Sequence, residues 1–232
     1  MRFAVIQFGG SNCDRDVQYV LSDVCGVDVD LVWYKERLLR PYDAVVLPGG
    51  FSYGDYLRAG AIAARTPIMD DVTRHAAGGA LVLGICNGAQ ILAETGLVPG
   101  VFTINAYPKF ICRWVHVRVE NAASPFTSEF QKGDVIRIPI AHAEGRYVAT
   151  ADAVGSLNTG DRIAFRFCDN KGSITDEANP NGAAENITGV LSKTGNVLAM
   201  MPHPERASEA VLGSTDGKKI FDSMIHHIEQ KA

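Results

Sequence analysis

An apolar run ending in a cysteine between two glycines is a chemical signal before it is a structural one. The segment Leu81-Val82-Leu83-Gly84-Ile85-Cys86-Asn87-Gly88-Ala89-Gln90-Ile91-Leu92 reads as a strand, a Gly-x-Cys-x-Gly turn and a helix. This is the thiol form of a nucleophile elbow. A sharp strand-to-helix turn presses neighbouring backbone together, and residues without Cβ remove the clash. Cys86 would then sit at a helix N-terminus, where the positive end of the dipole favours thiolate over thiol. The ordinary fate of an intracellular cysteine is burial as a small apolar side chain, but the flanking glycines favour the nucleophile.

Such a thiol needs a base, and the base needs an orienting group. Two segments carry the same His-x-Glu spacing, His142-Ala143-Glu144 and His203-Pro204-Glu205. Along an extended chain this spacing puts both side chains on one side. The second pair is favoured because an apolar strand, Val197 to Met201, delivers it to the strand-end crevice where α/β sheets place their sites. Its prolines fix φ and disfavour helix. His142 and Glu144 remain open as a solvated loop pair or a partner contact. In Val45-Val46-Leu47-Pro48-Gly49-Gly50-Phe51 a strand runs into a turn able to point the amides of Gly49 and Gly50 into a cleft, as an oxyanion hole requires. The phosphate-loop and dinucleotide glycine patterns are absent from this segment. Phe51, Tyr53 and Tyr56 read equally as packing, interface or substrate walls. Cys13, Cys25, Cys112 and Cys168 read as packing residues, Cys13 lying near enough to the first turn to approach the crevice. His75, His116, His226 and His227 read as surface residues.

The elements that must position these groups follow from periodicity. Strands are predicted at Phe3 to Phe8, Val27 to Trp33, Ala44 to Leu47 and Ala80 to Ile85, the unalternating apolar ones suiting a parallel sheet covered on both faces. A helical pattern on Val17, Val20, Leu21 and Val24 closes at Gly26. Further helices are predicted over Tyr56 to Arg65 and Asp70 to Ala77. After Pro99-Gly100 the period becomes two, with Val115, Val117, Val119 and Ile136, Ile138, Ile140, so antiparallel strands join the sheet. Ile187 to Leu191 and Val197 to Met201 flank a Lys193-Thr194-Gly195-Asn196 turn as a hairpin, after a loop at Asp176 to Glu185. Ile220, Phe221, Met224, Ile225 and Ile228 mark an amphipathic C-terminal helix. The expected fold is a three-layer, flavodoxin-like α/β domain spanning residues 1–232, mostly parallel, with helices on both faces and antiparallel additions in the second half.

Composition narrows the function. The 232 residues carry 22 Lys and Arg against 26 Asp and Glu, a formal charge of −4, so no basic excess invites a nucleic-acid backbone. Five cysteines, with no Cys-x-x-Cys pair, argue against a disulfide framework and against a thiolate zinc site. No metal site is expected. No secretory leader or membrane-spanning run is read, so no membrane association is expected and the cytoplasm is the expected compartment.

Together, Gly84-Ile85-Cys86-Asn87-Gly88-Ala89-Gln90 and His203-Pro204-Glu205 resemble the class I glutamine amidotransferases. Within that family the chain resembles the glutaminase subunits of purine biosynthesis. That narrower likeness rests on Gly10 to Asp16, Pro48 to Gly60, Ala141 to Tyr147 and Met201 to Arg206, and it departs from the pattern at Gly9 and Ala89. The resemblance implies hydrolysis of glutamine to glutamate and ammonia by Cys86, His203 and Glu205, through a glutamyl thioester. It implies an oxyanion hole from Asn87 with Gly49 or Gly50, and glutamine contacts from Phe51, Gln90 and His142. It further implies a separate synthetase subunit that uses ATP and Mg to make formylglycinamidine ribotide from formylglycinamide ribotide, together with a small third subunit. No cofactor is expected in this chain. A glutaminase subunit of another amidotransferase, or a thiol hydrolase or chaperone with a related cysteine elbow, is the alternative.

Overall fold

The computed structural model describes residues 1–38 and 40–231. Its strands are β1 (Arg2–Gln7), β2 (Asp28–Trp33), β3 (Ala44–Leu47), β4 (Leu81–Ile85), β5 (Val101–Thr103), β6 (Ile111–Val119), β7 (Val135–His142), β8 (Arg146–Val148), β9 (Ile163–Cys168), β10 (Ile187–Leu191) and β11 (Val197–Met200). The helices are α1 (Asp14–Tyr19), α2 (Pro67–Ala77), α3 (Asn87–Glu94), α4 (Ala151–Thr159) and α5 (Lys218–Glu229). Nine strands form one sheet in the order β2-β1-β3-β4-β11-β10-β9-β6-β7, while β5 and β8 pair separately. From β2 to β11 the strands run parallel, and this 2-1-3-4 order followed by one later strand is the flavodoxin-like arrangement. Every pair beyond β11 is antiparallel.

Every residue of β3, β4 and β11 is buried. Both faces of the parallel half are therefore covered, which explains why those strands are apolar without alternation. In β7 the alternating Ile136, Ile138 and Ile140 are buried against Val115, Val117 and Val119 of β6. Helix α5 buries Ile220, Phe221 and Met224 completely. Gly26 takes φ +72°, and Val27 N–H donates to the Leu21 carbonyl at 3.0 Å, ending the first helical segment as its position suggested.

Register brings the loops together. In the β4–β11 pair Ile85 lies opposite Met200, so Cys86 and the Met201–His203 segment leave the sheet side by side. In the β3–β4 pair Leu47 lies opposite Gly84, which sets Pro48-Gly49-Gly50 against the same corner. The turn after β1 joins them through a bridge between Ser11 and Gly50.

Two local expectations are corrected. Residues 56–65 are not a helix; only Ala63–Arg65 forms a 3-10 turn. Tyr56 and Leu57 are 74% and 92% exposed, so the large apolar side chains that would anchor such a helix bury nothing. Gly60, at φ +80°, is pressed so closely on Gln90 and Ile91 that a Cβ would come within 2.8 Å of backbone. His203-Pro204-Glu205 is not extended throughout either. Pro204–Ala207 closes a 3-10 turn with proline in its first position, where the missing N–H costs nothing.

Candidate active site

Cys86 is the residue before α3 and takes φ 51°, ψ −106°. This left-handed conformation costs a non-glycine residue about 1–3 kcal/mol and persists only where its surroundings enforce it. Here the Cys86 N–H donates to the Met200 carbonyl at 2.8 Å, and the Cys86 carbonyl accepts from Gln90 N–H at 3.1 Å. The flanking glycines are obligatory. A Cβ on Gly88 would lie 2.0 Å from the Leu47 carbonyl oxygen, and one on Gly84 would lie 2.7 Å from Gly88. The sulfur itself sits 3.6 Å from the Ala141 carbonyl oxygen.

His203 is buried, its N–H donating to the Pro139 carbonyl at 2.9 Å. Its Nδ1 lies 2.6 Å from Glu205 Oε1, a contact fixed by the 3-10 turn. Burial opposes a charge on the ring, but Glu205 and the sulfurs of Cys86 and Cys13 outweigh it, and His203 is held well above its ordinary pKa. Nε2 has no partner at hydrogen-bond geometry among the described residues. It is the nitrogen left to face Cys86 and Cys13 across a cavity those residues line with Gly50, Phe51 and Arg206.

The turn after β3 is held open-faced. The Gly49 carbonyl accepts from Asn12 and Cys13 amides at 3.3 and 3.1 Å, and Phe51 N–H donates to the Gly10 carbonyl at 2.8 Å. No acceptor takes the amides of Gly49 or Gly50 among the described residues. A chain of side chains backs this corner: Asn87 Oδ1 accepts from Ser52 N–H, Asn87 Nδ2 donates to Gln90 Oε1 at 3.0 Å, and Gln90 Nε2 donates to the Glu144 carbonyl at 2.6 Å. Both ends of the Gln90 amide are thus bound within the protein.

A second cavity, lined by Phe51, Asp55, Cys86, Gln90, His142 and Glu144, adjoins the same sulfur. His142 is not in a solvated loop pair. It is 3% exposed, with Nδ1 3.1 Å from Asn105 Oδ1. That oxygen also accepts from Gly145 N–H, so it faces Nδ1 as an acceptor and Nδ1 is the donor. Burial and the nearby charge of His203 push its pKa down to about 4. Burial, reinforced by Glu144, pushes Asp55 up to about 6. Phe51, which lines both cavities, is 43% exposed and tilts against Phe110 of the first.

Cys13 and Arg206 were not singled out by spacing, yet both reach this corner. Cys13 Sγ accepts from Arg206 Nη2 at 3.1 Å. No short motif signals a contact between residues so far apart in the chain. A larger depression at the N-terminal ends of β3 and β4, lined by Tyr42, His75 and His227, carries no nucleophile beside a base. The thiol, the His203–Glu205 pair and the glycine turn lie at the opposite end of the strands.

A buried thiol on an elbow, a histidine paired with a glutamate and two unclaimed amides together suit nucleophilic attack on an acyl carbon. Residues 1–226 match the family described as CobB/CobQ-like glutamine amidotransferase domain. The chain is 59% identical over 230 residues, 99% of each chain, to the phosphoribosylformylglycinamidine synthase subunit PurQ of Methanosarcina acetivorans. It is 52% identical over 225 residues to that of Aquifex aeolicus, covering 97% of this chain and 99% of the other. Among solved structures, a chain of PurLQS from Thermotoga maritima superposes with a TM-score of 0.86 at 44% identity, covering 98% of both.

Proposed function

The chain belongs to the CobB/CobQ-like glutamine amidotransferase domain family, and from that premise we propose that it is the glutaminase subunit of phosphoribosylformylglycinamidine synthase in purine biosynthesis. The observation that carries the chemistry is the juxtaposition of an elbow thiol, Cys86, with the 2.6 Å His203–Glu205 pair. Cys86 as thiolate attacks the side-chain carboxamide carbon of glutamine. The oxyanion that forms is received by the amides of Asn87 and of Gly49 or Gly50. His203 gives its proton to the departing ammonia, leaving a glutamyl thioester, and then takes a proton from the water that hydrolyses it. Glu205 holds the ring by Nδ1 and offsets its charge.

In this scheme Gln90 acts by bracing Asn87 and the Glu144 carbonyl, and Phe51 and His142 wall the glutamine cavity. The ammonia passes to a synthetase subunit, which uses ATP with Mg2+ in making formylglycinamidine ribotide; a small third subunit completes the complex. Exposed apolar residues support a docking partner: Leu57 and Ile104 line a depression that shares Glu144 with one Cys86 cavity, and the half-exposed Phe110 lines the other. We place the complex in the cytoplasm; among the described residues no helix is long and apolar enough to cross a membrane.

The test is ammonia transfer in the reconstituted complex with an electrophilic glutamine analogue as probe. Labelling confined to Cys86, with loss of glutamine-dependent but not ammonia-dependent synthesis in Cys86→Ser, is expected. A Cys86→Ser complex that still uses glutamine would overturn the assignment.

A further inference from the structure

The proposed triad leaves the charge of Glu205 only partly answered. Its carboxylate is wholly buried, with Oε1 2.6 Å from His203 Nδ1 and Oε2 without a hydrogen-bond partner among the described residues. A buried carboxylate needs a positive charge beside it. His203 supplies one only while its ring is protonated, and in the proposed reaction that proton leaves with ammonia. Among the described residues one other cation pairs with Glu205: Arg206, whose Nε lies 3.9 Å from Oε1. The segment after β1 holds the guanidinium in place. Arg206 Nη2 donates to Cys13 Sγ at 3.1 Å, and Nε lies 3.6 Å from Asp16 Oδ2. Burial pushes the Cys13 thiol up, so it stays neutral, accepting from Arg206 and donating to Asn12 Oδ1 at 3.3 Å. Arg206 N–H donates to the His203 carbonyl at 3.2 Å, so the 3-10 turn that aims Glu205 at the ring also sets the guanidinium beside Glu205.

We propose that Arg206 is a positioning residue of the triad, the fixed positive charge that keeps Glu205 compensated and bonded to the ring after His203 has given its proton to ammonia. The proton passes from Nε2 to the leaving nitrogen as the bond from that nitrogen to the acyl carbon breaks. Nδ1 keeps its hydrogen, and neither Glu205 nor Arg206 gains or loses one. Without the guanidinium, the imidazolium is the sole partner of a buried carboxylate, and the ring holds its proton more tightly. A more basic ring is a poorer acid toward the leaving nitrogen. The other titratable groups facing the pair are Cys86 on the elbow, Cys13 and Asp16 after β1, and His142 at the end of β7. None is a cation near neutral pH, since His142 is pushed down to about 4.

The kinetic consequence rests on the proposed function, whereas the electrostatic one is read on the full chain without glutamine. His203 is titrated by NMR with 13C-labelled histidine, its signal identified by its loss in His203→Ala. Arg206→Gln is expected to move that titration up by roughly half a pH unit or more, the effect of a charge a few ångströms away reduced for a guanidinium that is 40% exposed. Arg206→Lys, which keeps the charge, should titrate with the wild-type chain. In the complex with the synthetase, Arg206→Gln should lower kcat for glutamine by about tenfold with KM changed by less than about twofold, and Arg206→Lys should restore most of the rate. A variant that merely folded poorly would lose active protein and leave the His203 titration in place. A titration unmoved in Arg206→Gln, one moved equally in Arg206→Lys, or a loss carried by KM, which would set the guanidinium on the substrate, would each overturn the proposal. A titration that shifts as expected in a chain that hydrolyses no glutamine would overturn the glutaminase reading alone.

Discussion

Two buried histidines flank the same sulfur with opposite electrostatics, and that contrast separates their roles. His203 is held well above its ordinary pKa by Glu205 and the sulfurs, against the cost of burial. His142 is pushed down to about 4 by burial and by His203. Only the first can carry a proton to leaving ammonia near neutral pH. His203→Ala is therefore expected to lower glutamine-dependent turnover by three orders of magnitude or more, on the usual scale for removing a base paired with its nucleophile. His142→Ala should retain measurable turnover, and steady-state assay of the two variants decides the assignment. Stability responds oppositely to pH at the two sites. His203, with a raised folded pKa, contributes stability below its unfolded value near 6.5 and loses it as pH rises through the folded value. His142, with a depressed one, costs stability as pH falls from about 6.5 toward about 4, by on the order of 2 kcal/mol at the acid end. Denaturation curves between pH 7 and 4.5 should thus show His142→Gln losing less stability than the wild-type chain. Cys86, His203 and Glu205 were legible in the sequence because each residue type names a chemical task and the glycines name a geometry. Cys13 was read as a packing residue near the crevice, and what went unread is its contact with Arg206, which spans 193 positions and which no local pattern records.

The elbow is an element-scale device, because neither β4 nor α3 alone can hold Cys86 at φ 51°. The crossing is tightest at Gly88, where a Cβ would be 2.0 Å from the Leu47 carbonyl and could be relieved only by separating β3 from α3. Gly88→Ala is expected to cost about 2 kcal/mol or more in urea denaturation, outweighing the roughly 1 kcal/mol that a glycine-to-alanine change gains in an open helix. The loop after β3 stores a different cost. Tyr53, Asp55 and Leu57 all take positive φ, and Asp55 is pushed up to about 6 by burial and by Glu144. A carboxyl whose folded pKa exceeds its unfolded value favours the fold below about 4 and loses that favour as pH rises through about 6. Asp55→Asn should therefore stabilise the chain at pH 7 by about 1 kcal/mol after allowance for solvent screening, and thermal melts at pH 7 and pH 4 would show the gain at the first only. Strands such as β3 and β7 were readable because their periods are fixed by which faces are buried. Residues 56–65 were not, because Gly60 is held by a contact with α3 that outranks local helix preference.

At the scale of the whole molecule the parallel strands have two unlike ends. The C-terminal end gathers the turns after β1, β3, β4 and β11 into one cavity, as an open α/β sheet does at its switch point. The rim of that end carries apolar surface that a free protein has no use for. Tyr56, Leu57, Ile104, Tyr107 and Phe110 are each at least half exposed, Leu57 and Ile104 lining one depression, and exposed apolar surface beside a polar cavity marks a place for another protein. Glu144 connects the two features, lining both the Cys86 cavity and the depression under Leu57 and Ile104, and its carboxylate accepts from the Ala59 amide at 3.2 Å. A partner pressing on Leu57 would therefore bear on the loop that carries Asp55, and through Asn87 and Gln90 on the wall of the elbow. This linkage predicts that Leu57→Asp weakens synthetase binding by about tenfold or more, the scale of a central apolar contact, and lowers glutamine hydrolysis in the presence of the synthetase. The isolated chain should melt as before, because Leu57 is 92% exposed and buries nothing in the free protein. Lys231→Asp, at the opposite end of the strands, should leave both binding and stimulation unchanged. Titration calorimetry with the synthetase, run beside a coupled glutamate assay, separates these outcomes: equal affinity for the Leu57→Asp and Lys231→Asp chains would place the partner elsewhere, because only one of the two faces adjoins the thiol at which glutamine would release its ammonia.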